Sequence, residues 1–257
     1  MIGVFDSGIG GLTLLHEIIK QLPNENYCYY ADSLNVPYST KSEEEISCFV
    51  NNAAHFFFKN NVKAIVLACN TATNVCVEDL RYKYPDLPII AIQPAVKVAV
   101  DNDVEKRKIL VCATPITLRS LRFENLLQSL NAHNLVERMA MPELVKFAEN
   151  ENFSTKEVID YLEESLKQVD IQQFGSIVLG CTHFTYFEPI FNKIAPNLKI
   201  YDGNEGTARH LKNILSQQNL LETSNNDSSI LFVESGEISQ NSSRFERYLN
   251  FIAQMNL

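Results

Sequence analysis

Two cysteines of the chain lie in nearly duplicate surroundings, in the segments AIVLACNTAT and SIVLGCTHFT. Around Cys69 and Cys181, both segments carry an Ile-Val-Leu run before the thiol and a threonine four residues after it. A buried apolar run followed by small hydrogen-bonding side chains is typical of a strand that ends where a helix begins. A helix N-terminus lowers a cysteine pKa from about 8.5 to roughly 3.5–7.5. Both cysteines are therefore candidate acid–base groups.

Two acid–base groups on opposite faces of a stereocentre permit racemisation or epimerisation. One group removes a weakly acidic proton, and the other returns a proton from behind. Each thiol then needs a proton partner, and the candidates are Asp6, at the end of a predicted strand, and His183, next to Cys181. A carboxylate for one thiol and an imidazole for the other would suit two different half-reactions.

Structural interpretations compete with these assignments. A free cysteine is more often a small buried hydrophobe than a catalyst, and only the duplication reverses that expectation for Cys69 and Cys181. Asp6-Ser7 is also interpreted as an N-cap of the first helix, the stronger interpretation on local sequence alone. The other cysteines and histidines are assigned to packing or to the surface: Cys28, Cys48, Cys76, Cys112, His16, His55, His133 and His210.

Composition narrows the class of protein. The 257 residues are 46% hydrophobic, enough for one large domain or two smaller ones, and the net charge of −9 argues against nucleic acid. The chain has no apolar run near the ~20 residues of a membrane span, and its N-terminus has no signal-like pattern. We therefore expect a cytoplasmic protein with free thiols. Cysteine spacing does not indicate a metal site, and the glycine spacing supports a dinucleotide site only weakly.

Strand and helix patterns alternate along the chain, which is typical of parallel α/β sheets. Capping boxes at Ser42-x-x-Glu45 and Ser154-x-x-Glu157 predict helix starts. The polar stretch at 101–108 is typical of a connection between two structural units, and the polar stretch at 222–229 is typical of a linker. The segments MIGVFDSG and KILVCATP precede the two cysteines at comparable distances, which indicates a diverged duplication.

The predicted fold is α/β, with two pseudo-symmetric lobes whose mainly parallel sheets face a shared cleft at the carboxyl ends of their strands. The first lobe is predicted to contain residues 1–97 plus 211–257, because a last strand and helix return to it. The second lobe is predicted at 98–210.

The chain resembles the glutamate racemases, of the cofactor-independent aspartate/glutamate racemase superfamily. The resemblance rests on motifs that span positions 5–209 in order: FDSGIGGLTLL, YYADSLNVPYSTKS, LACNTAT, PAVK, TPITLRS, PELVKFAE, LGCTHF and DGNEGTAR. It implies an isomerase in which Cys69 exchanges the α-proton of D-glutamate and Cys181 that of L-glutamate. Asp6 would assist the former and His183 the latter. By the same resemblance, D-glutamate feeds peptidoglycan synthesis.

Further positions follow from that resemblance. The implied glutamate-binding residues are Asp6, Ser7, Pro37, Tyr38, Ser39, Asn70, Thr71, Thr117, Thr182 and His183. Asp32-Ser33, Thr114 and Glu149 also match family-typical positions, with less defined roles. The usual PYG loop reads Pro37-Tyr38-Ser39 here, so an amide that would approach the substrate carboxylate lies on a residue with a Cβ. Two more positions depart from the family pattern: Gln93 replaces the usual Glu of an E-P-x-x-K segment, and Glu237 replaces the Asp of a late SGD motif. These departures bear on regulation or packing.

Three other functions are compatible with these residues. One is a racemase for aspartate or another amino acid of the superfamily. Another is a hydrolase with Cys181 as nucleophile and His183 as base, although two residues at one turn suit that pairing poorly and Cys69 is then unexplained. A third is an amino-acid binding protein without catalysis. For the assembly, a homodimer is one hypothesis.

Overall fold

The computed structural model describes residues 1–103, 105–223 and 228–255. Its internal contacts divide the chain into two compact units, Met1–Ile92 with Asn204–Leu257, and Gln93–Gly203. The polar stretches predicted at 101–108 and 222–229 lie partly outside the described residues.

Strands and helices alternate through both units. The strands are β1 (Ile2–Asp6), β2 (Tyr27–Ala31), β3 (Ala64–Leu67), β4 (Ile89–Ala91), β5 (Lys108–Ala113), β6 (Val136–Ala140), β7 (Phe174–Leu179), β8 (Lys199–Asp202), β9 (Ile230–Glu234) and β10 (Glu237–Ile238). The α-helices are α1 (Leu12–Gln21), α2 (Glu43–Lys59), α3 (Asn70–Lys83), α4 (Val96–Asn102), α5 (Pro115–Arg119), α6 (Leu121–Ser129), α7 (Glu143–Glu149), α8 (Lys156–Leu166), α9 (Glu188–Ile194), α10 (Asn204–Gln217) and α11 (Ser242–Gln254). Short 3₁₀ helices occur at Tyr38–Thr40, Ile171–Gln173 and Thr182–Phe187.

The first unit is built on a six-stranded sheet in the order β10-β9-β2-β1-β3-β4. Its strand pairs are parallel except for β9 with β10. Strands β1, β2 and β3 are buried along their whole length. A parallel sheet covered on both faces needs such continuous apolar runs rather than alternation. Strand β9, which comes late in the chain, pairs with β2 in this sheet.

The second unit is built on a four-stranded, fully parallel sheet in the order β6-β5-β7-β8. That order repeats β2-β1-β3-β4 of the first unit, as a diverged duplication predicts. The segments before Cys69 and Cys181 form β3 and β7, which occupy the same place in the two sheets. The predicted α/β class with mainly parallel sheets is confirmed.

Two helix starts were predicted from capping boxes, and the outcomes differ. At Ser42 the box is complete: Ser42 Oγ accepts from the Glu45 amide at 3.2 Å, and Glu45 Oε2 accepts from the Ser42 amide at 2.8 Å. The prediction of a capping box at Ser154 is wrong. Helix α8 takes Thr155 as N-cap, without a side-chain cap bond. Glu157 is then one position too close to the helix start to close the reciprocal pair.

Candidate active site

Three buried polar side chains meet at the carboxyl edge of the first sheet. Asp6 is the last residue of β1, Asp32 follows β2, and Cys69 lies just beyond β3. Their exposed fractions are 0%, 3% and 6%. Because β1 lies between β2 and β3, these residues lie at the ends of neighbouring parallel strands. Such an edge is where open α/β sheets bind ligands.

Cys69 is the N-cap residue of α3. Its Sγ accepts a hydrogen bond from the Ala72 amide at 3.4 Å and lies 3.7 Å from Ser7 Oγ, to which the thiol donates. The unpaired amides and the dipole of a helix N-terminus favour negative charge. This position therefore favours the thiolate over the thiol.

The first turn of α3 supplies further polar groups beside Cys69. Asn70 and Thr71 are both buried there. Within the described part of the chain, the Asn70 Oδ1 atom has no hydrogen-bond partner. A buried acceptor without a donor is costly, and a ligand that brings an N–H group would satisfy it.

Asp6 is fixed by its own loop. Its Oδ1 accepts from the Gly8 amide at 2.9 Å. The interpretation of Asp6-Ser7 as a helix N-cap was wrong, because α1 begins after Gly11, which has no side chain to form a cap. The helix starts too late for Asp6 to reach its amides. The Asp6 carboxylate is therefore held at the strand end, and Ser7 is brought to Cys69.

Tyr38 closes this edge through a hydrogen bond to Asp32. Its hydroxyl donates to Asp32 Oδ2 at 2.7 Å, and both side chains are buried. Burial and then the charge of Asp32 raise the pKa of Tyr38 above its usual range, with smaller effects from Cys69 and Asp6. The phenol therefore stays protonated and acts as a donor. Pro37 and Ser39, on either side of it, are partly exposed.

Cys181 lies at the carboxyl edge of the second sheet, one residue after Gly180 and beyond β7. It precedes the 3₁₀ helix Thr182–Phe187 and forms no side-chain cap bond. The prediction of two matching helix starts is therefore only half right, since Cys69 opens an α-helix and Cys181 a 3₁₀ helix. The thiol instead faces an imidazole: Cys181 Sγ lies 3.9 Å from Nδ1 of His183.

His183 links Cys181 to Glu149, the last residue of α7. Its Nε2 lies 2.8 Å from Glu149 Oε1, and the ring is fully buried. Burial disfavours the charged ring, but the hydrogen bonds and charges of Cys181 and Glu149 outweigh it and raise the pKa of His183 well above its usual value. The imidazolium then donates to both neighbours. The sequence carried no sign that Glu149 would pair with His183.

Buried threonines border Cys181. Thr114 follows β5, the strand that pairs with β7. Its Oγ1 accepts from the Thr117 amide at 3.4 Å and donates to Thr117 Oγ1 at 3.1 Å. Thr182 is buried next to the thiol. The implied positions of the second unit thus lie at the ends of two adjacent strands.

Burial, rather than a charged or polar neighbour, dominates the surroundings of three of the remaining cysteines. Burial raises the pKa of Cys28 and of Cys76 to about 12, and it raises that of Cys112 further. These thiols stay protonated at neutral pH. Cys48 is exposed on α2. These four cysteines are therefore not candidate bases.

Gly11 allows close packing around Asp6, and its replacement with alanine tests that packing. The added Cβ would lie 2.6 Å from Cβ of Asp6 and 2.9 Å from Cβ of Ala68, neither of which can swing away. We expect Gly11→Ala to lower the free energy of unfolding by about 1–3 kcal/mol, and to reduce catalysis by displacing Asp6. Urea denaturation and turnover measure the two effects.

The control is Gly206→Ala in α10, where an added Cβ meets nothing within 4 Å. That variant should gain about 0.5–1 kcal/mol from helix propensity. Unchanged stability and turnover in Gly11→Ala would contradict the crowding around Asp6.

Within 1–103, 105–223 and 228–255, no group of three or more His, Cys, Asp or Glu side chains is arranged to hold a metal ion. In the same ranges, no helix has the length and apolar character that a membrane crossing needs.

Comparisons with known proteins agree with the motifs. The family model for Asp/Glu/hydantoin racemases matches residues 2–211. The glutamate racemase of Halothermothrix orenii is 43% identical over 255 residues, covering 99% of both chains. The crystal structure of glutamate racemase RacE1 from Bacillus anthracis superposes with a TM-score of 0.86 at 32% identity, over 97% of this chain and 94% of that one. The Francisella tularensis glutamate racemase, solved in complex with D-glutamate, gives a TM-score of 0.84 at 28% identity, over 97% and 93%. The chain therefore belongs to the Asp/Glu/hydantoin racemase family, as its paired cysteine motifs indicated.

Proposed function

We propose that the protein interconverts L- and D-glutamate, with Cys69 and Cys181 as the two acid–base groups. One observation carries the proposal: two cysteines follow the equivalent strands of two repeated sheets, and each has its own polar partners. The relatives reported above are glutamate racemases, and one of them was crystallised with D-glutamate.

The Cys69 half-reaction uses a thiolate that α3 stabilises. Starting from D-glutamate, the thiolate removes the α-proton and becomes a thiol, while Asp6 assists from the neighbouring strand. The protonated Cys181 then delivers its proton to the opposite face of the planar carbanion. After one turnover Cys69 carries a proton that Cys181 has lost. L-glutamate reverses each step.

The Cys181 half-reaction uses a different device. When Cys181 is a thiolate, an imidazolium at His183, held by Glu149, donates a hydrogen bond toward its sulfur. This thiolate removes the α-proton of L-glutamate. The two sulfurs therefore have unlike surroundings, a helix N-terminus at Cys69 and an imidazole at Cys181.

Uncharged hydrogen-bond donors are available for the two negative carboxylates of glutamate. Backbone amides at the start of α3 and threonine hydroxyls suit the two carboxylates of glutamate, and donors aimed at the α-carboxylate stabilise the charge of the carbanion. The unpartnered Asn70 Oδ1 suits the substrate ammonium group. The proposed binding positions are Asp6, Ser7, Pro37, Tyr38, Ser39, Asn70, Thr71, Thr117, Thr182 and His183.

Glu149→Gln tests the support that His183 receives. The amide keeps the shape but loses the charge, so the pKa of His183 should fall toward its usual value. We expect kcat to drop about ten- to a hundredfold, the scale of a lost charged hydrogen bond, and the alkaline limb of the pH–rate profile to move to lower pH.

The matched control for that variant is Glu143→Gln. Glu143 is on the same helix, but its carboxylate pairs with Lys146 at the surface at 3.0 Å. The Glu143→Gln variant should leave the pH–rate profile unchanged. If Glu149→Gln also leaves the alkaline limb in place, Glu149 does not tune His183.

A nucleophilic role for Cys181 is less well supported. Cys181 Sγ lies 3.9 Å from His183 Nδ1, so the two side chains are in contact. A hydrolase would still leave Cys69 and its partners without a role. A racemase uses both thiols.

The test is racemisation by purified protein with a chelator and without pyridoxal phosphate. The circular dichroism of an L-glutamate solution should decay to zero, and that of D-glutamate likewise. The ratio of kcat/KM for glutamate and aspartate decides the substrate. Absence of decay from either enantiomer, with the protein folded, would sink the proposal.

The cellular setting belongs to the same proposal. We place the reaction in the cytoplasm, where thiols stay reduced, and its product D-glutamate in peptidoglycan synthesis. A homodimer is the assembly hypothesis, which light scattering of the purified protein decides.

A further inference from the structure

The end of the chain packs against β2 close to the Asp6 loop. Strand β9 pairs with β2 so that Phe232 lies opposite Tyr29. The Phe245 ring of α11 stacks on Phe232, with 4.8 Å between centroids and 5° between planes. The Tyr29 ring meets both rings edge-on, at 6.4 Å and 5.9 Å. Aromatic pairs of this kind are directional, so they fix the place of the Tyr29 ring.

The hydroxyl of Tyr29 reaches the loop that holds Asp6. It donates to the Gly8 carbonyl at 2.7 Å, and the Gly8 amide donates to Asp6 Oδ1 at 2.9 Å. Gly8 is therefore held on both sides, by Tyr29 at its carbonyl and by Asp6 at its amide. Tyr29 itself is fully buried. A glycine has wide conformational freedom, so such bonds decide where its amide points.

We infer that Tyr29 is a positioning residue for the Cys69 half-reaction, and that β9 and α11 set the place of Tyr29. The inference rests on the proposed function. Tyr29 orients Gly8, Gly8 orients the Asp6 carboxylate, and Asp6 assists Cys69. The C-terminal segment, which lies beyond the matched residues 2–211, thereby supports the chemistry.

A second tyrosine of β2 provides a matched control. Tyr27 points to the same face of the strand, is equally buried, and donates to a backbone carbonyl, that of Leu22, at 2.5 Å. It lies at the amino end of β2, opposite Ile2 of β1, whereas the end of the sheet that carries Asp6 is the carboxyl end. Loss of either hydroxyl removes the same kind of bond. Only the Tyr29 bond leads to Asp6.

The test compares Tyr29→Phe with Tyr27→Phe. Both variants keep the ring and should lose similar thermal stability. Tyr29→Phe should lower kcat/KM about three- to tenfold, the scale of one hydrogen bond, while Tyr27→Phe should leave kcat/KM near the wild-type value.

Isotope effects separate positioning from general damage. L- and D-glutamate have equal free energy, so kcat/KM changes equally in both directions and cannot identify the impaired base. With α-deuterated D-glutamate, Cys69 removes the deuteron, so a slower Cys69 step becomes more rate-limiting. With α-deuterated L-glutamate, Cys181 removes the deuteron, and a slower Cys69 step afterwards makes that removal more reversible. Tyr29→Phe should therefore raise the primary isotope effect for D-glutamate and lower that for L-glutamate.

A substitution in α11, where Phe245 packs against the Tyr29 ring, gives an independent variant. Phe245→Leu loosens the Tyr29 ring without touching its hydroxyl and should shift the two isotope effects in the same directions. Isotope effects in Tyr29→Phe that match those of Tyr27→Phe would overturn the inference while the racemase proposal stands. A wild-type protein that racemises neither enantiomer would overturn the proposed function instead.

Discussion

Serine in place of either Cys69 or Cys181 should lower racemisation about a hundred- to ten-thousandfold, the contribution of one acid–base group. The hydroxyl has nearly the size of the thiol but is a far weaker acid, so neither a helix N-terminus nor an imidazolium makes it a useful base. The measurement is the decay of optical activity from each enantiomer. Because each half of the reaction needs its own base, either substitution alone should suffice.

The control for these variants is Cys48→Ser. Cys48 is exposed on α2 and takes no part in the proposed chemistry. It should retain wild-type turnover, and all three serine variants should unfold at similar temperatures. Near wild-type racemisation in Cys69→Ser or in Cys181→Ser would rule out that cysteine as one of the two bases.

His183→Asn should have the second largest effect, lowering kcat by about a hundredfold or more. It should also change how stability depends on pH. The pKa of His183 is raised in the folded protein, against burial, by Cys181 and Glu149. The folded state therefore binds the His183 proton more tightly than the unfolded chain does. The resulting stability is complete below the unfolded pKa of about 6.5 and is lost as pH rises through the folded value.

Urea denaturation between pH 6 and pH 9 measures this contribution. The wild type should lose free energy of unfolding over that range, and His183→Asn should lose less. His210→Asn, the same substitution at an exposed position of α10, should follow the wild type. Parallel curves for all three proteins would mean that His183 does not hold an extra proton in the folded state.

The repeated architecture could be predicted because its signal is local. Parallel strands buried on both faces appear as continuous apolar runs, and β3 and β7 carry nearly the same run before their cysteines. The ends of neighbouring parallel strands meet, so Asp6 and Cys69 could be placed at one edge from their order along the chain. The returning β9 was likewise visible as an apolar run.

The missed features depend on contacts between distant elements. Glu149 is 34 residues from His183 in the chain, and only the packing of α7 brings its carboxylate to the ring. Strand β6 carries the charged residues Glu137 and Arg138 and is partly exposed, so it lacks an apolar run. The hydrogen bond from Tyr29 to Gly8 also has no local signal. Strand patterns give no information on hydroxyl partners.

Racemisation in deuterated water, stopped at low conversion, tests the central claim most directly. With two bases, the proton removed by one cysteine is not the one returned by the other, so the new enantiomer should carry deuterium while the unreacted substrate keeps its α-proton. Proton NMR combined with chiral separation measures both, from D-glutamate and from L-glutamate. Product that retains the substrate's own α-proton would show a single base acting on both faces, and would contradict the roles assigned to Cys69 and Cys181.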